Sequence, residues 1–189
     1  MECVILAAGS SSRLGMDKAL VDVGSQTLIS WISRRLSSRV ANITIVANES
    51  NFAEISKIVS DVNVILNRNP HEGRTGSLKV GIDSIDSSRA EEYRLLVVPV
   101  DRPGFSDSTL DHLICSEETC CPMKEGRGGH PLVLTFEDVD KVRKSSANSP
   151  LREVIEASRF EVLDRFLELN IDTPEDIINL QEKLQLVNE

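Results

Sequence analysis

Near its start the chain places a glycine-rich, cationic run, Leu6-Ala7-Ala8-Gly9-Ser10-Ser11-Ser12-Arg13-Leu14-Gly15, directly after an apolar stretch from Cys3 to Leu6, with Lys18 just beyond. Small side chains let backbone N–H groups approach an anion closely, and Gly9 and Gly15 permit angles that strain other residues, so the loop suits phosphate oxygens. Arg13 and Lys18 add full positive charge at the same place. The plainer role, a solvated strand-to-helix turn, is disfavoured by position, because ligands of open α/β sheets bind beyond the carboxyl ends of strands. Spacing excludes two familiar phosphate loops. A Walker A loop needs Gly-x4-Gly-Lys-Ser/Thr, but five residues separate Gly9 from Gly15 and Met16 follows. A dinucleotide fingerprint needs a second glycine where Ser11 stands and an acid closing the second strand, where Asn48 stands.

Carboxylates come next. The apolar run Leu95 to Val100 ends abruptly in Asp101, followed by Arg102-Pro103-Gly104. Asp before Pro-Gly is also ordinary turn chemistry. If the strand before Asp101 neighbours the first strand in a parallel sheet, however, Asp101 faces the phosphate loop across a cleft. A lone carboxylate there would repel phosphates unless a divalent cation sits between them. Magnesium, held by one or two carboxylates with phosphate oxygens and water, suits Asp101 together with Asp172 and Asn170. The plainer role for Asp172 is an acid at a helix start, since Thr173-Pro174-Glu175-Asp176 reads as a capped N-terminus.

Two further segments carry polar groups on flexible backbone. Asn67 to Ser77 is too long for a tight turn and opens a helix, where Arg74, Thr75 and Ser77 are placed to read a ribose, base or phosphate. Gly126-Arg127-Gly128-Gly129-His130-Pro131 offers Arg127 and His130 to an anion. A structural role suits His130 equally well, and His71 and His112 have no chemical company.

These residues need a scaffold that brings strand ends together. Apolar runs alternate with helical patterns, which predicts an α/β protein: a three-layer sandwich around a mostly parallel, Rossmann-like sheet, in one domain spanning residues 1–189. Strands are expected at 2–7, 42–47, 62–66, 94–100, 119–122 and 131–134, several apolar enough for burial on both faces. Leu28, Ile32 and Leu36 follow Thr27 at helical spacing, Phe52, Ile55 and Val59 repeat it, and a third helix should start near Thr75. The last third predicts helices at 137–143 and 150–157, extended pieces at 160–163 and 166–169, and a final helix. Residues 144–150 read as a loop.

The net charge of −9 argues against a nucleic-acid or anionic-membrane partner, so anionic substrates must be held by local cations. No apolar run reaches membrane length and a strand begins within two residues, which predicts a cytoplasmic protein without a leader. Cys3, Cys115, Cys120 and Cys121 lack zinc or redox spacing and are expected to be thiols.

Taken together, Leu6-Ala7-Ala8-Gly9-x-Ser11-x-Arg13-x-Gly15-x-x-Lys18, Val98-Pro99-Val100-Asp101-Arg102-Pro103 and Asn170 to Asp176 resemble the molybdopterin-type nucleotidyltransferases of the nucleotide-diphospho-sugar transferase superfamily. Ala8, Gly73-x-x-Gly76-Ser77-Leu78 and Gly129-His130-Pro131 are similar to the molybdenum cofactor cytidylyltransferase branch. Val100 and Arg102 depart from the commoner pattern around the metal aspartate. The resemblance implies that the backbone of Leu6 to Gly9 and residues around Ser77 hold base and ribose, and that Arg13 and Lys18 hold a triphosphate. Asp101 and Asp172 then bind Mg2+, and Arg102, Arg127 and His130 meet a phosphorylated acceptor. The implied reaction is in-line attack of an acceptor phosphate on the α-phosphorus, preferentially of CTP, with molybdopterin as acceptor and no general base. Alternatives are guanylyl transfer to molybdopterin or another cofactor precursor, cytidylyl transfer to a sugar or polyol phosphate, and a nucleotide-binding module without turnover.

Overall fold

The computed structural model describes residues 1–89 and 91–188. Its frame is an eight-stranded sheet with the order β10-β7-β9-β6-β1-β4-β5, with β8 paired to β7. The strands are β1 (Glu2–Leu6), β4 (Asn42–Ala47), β5 (Asn63–Leu66), β6 (Leu95–Pro99), β7 (Cys120–Lys124), β8 (Arg127–Gly128), β9 (Leu132–Leu134) and β10 (Ser158–Glu161), while β2 (Asp22–Val23) and β3 (Gln26–Thr27) form a separate small hairpin. β1 pairs in parallel with β4 and β6, β4 with β5, and β10 with β7, while β9 is antiparallel to both β6 and β7. Only β9 and the two-residue β8 therefore run against the common direction.

Side-chain alternation explains the three layers. Cys3 and Ile5 of β1, Leu96 and Val98 of β6, and Ile43 and Ile45 of β4 join one core, shared with α1 (Leu28–Ser37), α2 (Phe52–Ile58) and α4 (Asp107–Cys115). Val4, Val46, Leu95 and Val97 point to the other, shared with α3 (Gly73–Ser88) and α5 (Phe136–Lys144). Strands buried on both faces need apolar residues at successive positions, the pattern that β6 carries throughout and β1 carries from Cys3 onward. Gly81 of α3 belongs to this packing, since a Cβ there would overlap Val4.

The central strands fall within a residue of expectation; differences lie in the periphery. α4 carries only Leu110 and Leu113 as fully buried apolar anchors and was not expected; Ser106 caps it, its hydroxyl accepting the Thr109 N–H. The expected extended piece at 166–169 falls on a turn over residues 165–168. α6 (Leu151–Val154) stops three residues short of expectation because the chain must extend into β10. The final helix is two, α7 (Pro174–Ile177) and α8 (Leu180–Gln185), parted at Asn179 with φ of 58°. Thr27 precedes α1 without making a side-chain cap. No helix among the described residues is long and apolar enough to cross a membrane.

Candidate active site

The register sets the site. Leu6 lies opposite Pro99, and the Val100 N–H donates to the Leu6 carbonyl at 3.1 Å, so the loop leaving β1 and the acid leaving β6 emerge side by side at the carboxyl edge. The loop is tied down by two asparagines beyond β4. Asn51 Nδ2 donates to the Ala7 carbonyl at 2.9 Å and to Asp17 at 2.8 Å, and Asn48 Nδ2 donates to the Gly9 carbonyl at 3.1 Å. Burial raises the pKa of Asp17, although the hydrogen bonds it accepts from the Ala19 N–H and from Asn51 oppose the shift.

Gly15 takes a left-handed φ of 76°. Gly9 does not, contrary to expectation; Ser11 does instead, at 49°, with its hydroxyl accepting the Lys18 N–H at 3.2 Å. A Cβ at Gly9 would meet nothing within 4 Å, because that backbone faces the open cleft. The cleft, about 300 Å³, is lined by the loop from Leu6 to Arg13, by Asp17 and Lys18, by Gly73, Arg74 and Ser77, and by Asp101, Arg102, Asn170 and Asp172.

Asp172 reaches Asp101 through a contact that sequence did not reveal. Asp164 accepts from both the Ser106 N–H and the Ser106 hydroxyl at 2.7 Å, Phe166 lies so close to Gly104 that a Cβ there would overlap its carbonyl, and the Ile171 N–H donates to the Asp101 carbonyl at 3.0 Å. Asp176 then accepts from the N–H groups of Asp172 and Thr173 at 2.9 and 2.7 Å, fixing the turn that presents Asp172. The acid at the helix start and the acid of the cleft are thus one residue serving both places.

Lys18 sits between the two acids. Its Nζ is bonded to Asp172 Oδ1 and lies 3.7 Å from Asp101 Oδ2. Arg13, largely exposed, reaches Asp172 Oδ2 at 3.0 Å, and Arg74 Nη2 lies 3.7 Å from Asp101. The Lys18 hydrogen bond is the chief force holding the Asp172 carboxyl below the usual range, with Asn170 and the charge of Arg13 adding to it.

Other expected residues are placed unevenly. Ser77 lines the cleft, but its hydroxyl donates to the Gly73 carbonyl and accepts from Asn67, leaving little capacity for a ligand. Arg102 lines the cleft with a buried, unpartnered Nε. His130 lies in an adjoining groove, where burial, then Arg74 and Arg102, push its pKa down to about 4, so it is neutral at pH 7. Arg127 is exposed on β8 and lines neither cavity, because the β7–β8 hairpin carries it past the edge. Asn48 and Asn51 were missed; the repeat of Asn after a strand was the available signal.

The chain's residues 3–162 match the MobA-like NTP transferase domain. The chain belongs to that family. Its members are nucleotidyltransferases, the enzyme class expected from the loop and acids. It is 30% identical over 119 residues to a molybdenum cofactor guanylyltransferase of Xanthomonas euvesicatoria, an alignment covering 62% of the chain and 56% of that protein. The chain thus spans a little over half the length of that relative. Over 193 residues it is 25% identical to a molybdenum cofactor guanylyltransferase of Cereibacter sphaeroides, covering 96% of each. The fold also matches Rv0371c from Mycobacterium tuberculosis (TM-score 0.75, 20% identity, 96% and 98% coverage), a protein also solved as a manganese complex (TM-score 0.70, 15% identity, 96% and 97% coverage).

Proposed function

We propose that this protein transfers a nucleoside monophosphate from a nucleoside triphosphate to the phosphate of a small-molecule acceptor, releasing pyrophosphate, and that the acceptor is the pterin of the molybdenum cofactor. Guanylyl is the group favoured by the curated relatives, which are named guanylyltransferases. Cytidylyl transfer is the second reading, supported by the segments Gly76-Ser77-Leu78 and Gly129-His130-Pro131 and by Ala8, of which Ala8 and Ser77 line the cleft and Gly129 and His130 the groove. The observation that carries the proposal is the meeting of Lys18, Asp101 and Asp172 at the mouth of an anion-binding loop.

In this reading the N–H groups of the loop and the side chains of Lys18 and Arg13 receive the triphosphate, exchanging their carboxylate partner for phosphate oxygens. Arg74 and Arg102 draw the acceptor phosphate toward the α-phosphorus from the opposite side. One acceptor oxygen forms the new P–O bond as the bond to the β-phosphate oxygen breaks, and the electron pair leaves with pyrophosphate. The attacking phosphate is already anionic, so the residues position and neutralise rather than abstract a proton.

The donor set fits a magnesium ion. Asn170 Oδ1 is buried without a partner among the described residues and stands two residues from Asp172. Among those residues no three His, Cys, Asp or Glu cluster, so a divalent ion would combine Asp101 and Asp172 with phosphate oxygens and water. Bound there, it would offset triphosphate charge and fix the oxygens in place.

The test is a pyrophosphate-release screen of the four nucleotides with a panel of phosphorylated acceptors, with and without magnesium. One nucleotide should turn over with a pterin phosphate and only with metal. Asp101→Ala should abolish turnover with an unchanged melting temperature. Equal rates in Asp101→Ala and the parent would reject the metal assignment, and no release with any pair would reject the transferase reading.

A further inference from the structure

Two of the groups that line the cleft are held by one buried amide that lies outside it. Asn51 is fully buried and does not line the cleft, but Ala7 and Asp17, both bonded to it, do. Its Nδ2 donates one N–H to the Ala7 carbonyl at 2.9 Å and the other to Asp17 Oδ2 at 2.8 Å, and its Oδ1 accepts the Asn48 N–H at 2.9 Å. A flipped amide would set oxygen against a carbonyl and a carboxylate, and N–H against N–H, so the donors can only face the loop.

Ala7 follows the last residue of β1, and Asp17 precedes the short 3-10 turn Lys18–Leu20, so a single nitrogen joins the two ends of the anion-binding loop. Asp17 divides its oxygens between two tasks: Oδ1 caps that turn by accepting the Ala19 N–H at 2.9 Å, while Oδ2 takes Asn51. Lys18 comes directly after the clasped residue. The corner that carries Asn51 is itself fixed to the strand that feeds the loop, since β4 pairs with β1 and the Ala7 N–H donates to the Val46 carbonyl at 2.9 Å. A continuous set of bonds therefore runs from the sheet through Asn51 and Asp17 to Lys18. Asp17 otherwise has no place in such a cleft, because a carboxylate on its lining repels the anion that the loop attracts. The clasp supplies the reason for it.

We propose that Asn51 is a positioning residue for nucleotide binding: by holding Ala7 and Asp17 together it sets the spacing between the loop N–H groups and the Lys18 ammonium, and so pre-organises both for one triphosphate. This rests on the transferase reading, to which it adds a residue that stands away from the substrate. A loop whose ends are free samples many end-to-end separations, and binding must then meet the entropy of choosing one. With the ends clasped, that choice is made during folding, before any ligand arrives.

Calorimetric titration of GTP and of CTP, each with magnesium, measures this apart from turnover. Asn51→Leu, similar in size but without donors, should weaken the nucleotide that the parent binds more tightly by about tenfold, the scale for slightly misplacing a binding group. Asp17→Ser gives the sharper reading, because serine still caps the Ala19 N–H but is too short to reach Asn51. Removing a negative charge from the cleft should by Coulomb attraction alone tighten triphosphate binding, whereas loss of the clasp should weaken it, again by about tenfold. A residue acting through Lys18 also leaves the double variant Asn51→Leu with Lys18→Ala within about twofold of Lys18→Ala alone, while an independent structural effect would add in full. Melting temperatures accompany each titration; if Asn51→Leu does not fold, Asp17→Ser and its combination with Lys18→Ala carry the same comparison. Binding by Asp17→Ser as tight as the parent's or tighter, or additive losses in the double variant, overturns the clasp and leaves the transferase reading standing. Weakened binding in the variants, from a parent that binds nucleotide but releases no pyrophosphate with any acceptor, overturns the transferase reading and leaves the clasp. A parent that binds neither nucleotide overturns both.

Discussion

Two clusters in this molecule have the same composition: an aspartate held between two cations. In one, Asp107 pairs with Arg35 at 2.6 Å and Arg39 at 3.3 Å; in the other, Asp172 pairs with Lys18 and with Arg13 at 3.0 Å. Cations lower the carboxyl pKa in both, Arg35 in the first and Lys18 in the second. Surroundings separate them. Arg35 stacks on the rings of Trp31 and Phe105 and donates to the Phe105 carbonyl, locking α1 to α4. Among the described residues no aromatic ring stacks on Lys18 or Asp172; they face a cleft lined by the loop and shared with a second acid. An ion pair is therefore poor evidence of function alone, and what distinguishes a working one is the open space and the further charge beside it.

The largest expected contrast is in Lys18→Ala against Asp107→Ala. The first should lower pyrophosphate release by about a hundredfold or more, the scale for losing a preorganised charge on a transferring phosphate, with little change in melting temperature. The second should leave release intact while destabilising the fold by about 1–3 kcal/mol, read by urea unfolding, because Arg35 keeps a half-buried charge without its partner. Reversed phenotypes would break the distinction.

Gly104→Ala sharpens it, because this glycine serves the site through packing. Its Cβ would overlap backbone of Phe166, which cannot yield as a flexible side-chain tip would. The variant should lose both stability and turnover, and magnesium titration followed by calorimetry should show weakened binding as Asp172 is displaced. A fully active, stable variant would show that the 164–171 tether does not hold that acid.

The smallest effect concerns pH. His130 is pushed down to about 4 from an unfolded value near 6.5, so between these values the unfolded chain takes up a proton that the folded chain refuses. Stability from this group is full above 6.5 and falls as pH drops toward 4. His130→Gln should flatten that slope in melting temperature, whereas Asp107→Asn should lower stability throughout the range above the unfolded carboxyl value near 3.9 and flatten the slope only below it, where the depressed carboxyl of the parent loses its contribution. Equal slopes for parent and His130→Gln would mean that the imidazole titrates freely.

Much of this was legible because local signals agreed with the topology. An apolar run into a glycine loop, and another into Asp101, suffice once both strands are parallel neighbours. The approach of Asp172 was not legible, since it depends on Asp164 meeting Ser106 and on Phe166 closing over Gly104, contacts with no periodic trace. α4 escaped because two buried leucines among polar residues make a weak stripe, although Ser106 and Thr109 hold a cap at its start. Arg127 was misplaced because a glycine beside a cation looks alike in a ligand loop and at a hairpin tip.

The tether from Asp164 to Ile171 also has a bearing on biosynthesis. Every strand of the sheet is complete by Glu161, and the loop and the first acid come earlier still. A nascent chain that has emerged that far carries a finished frame with an unfinished centre, since domains begin to form while their last residues are still being added. The carboxylate of Asp172 is thus seated only after the strands that frame the cleft have been made, by contacts that its own late stretch of chain brings.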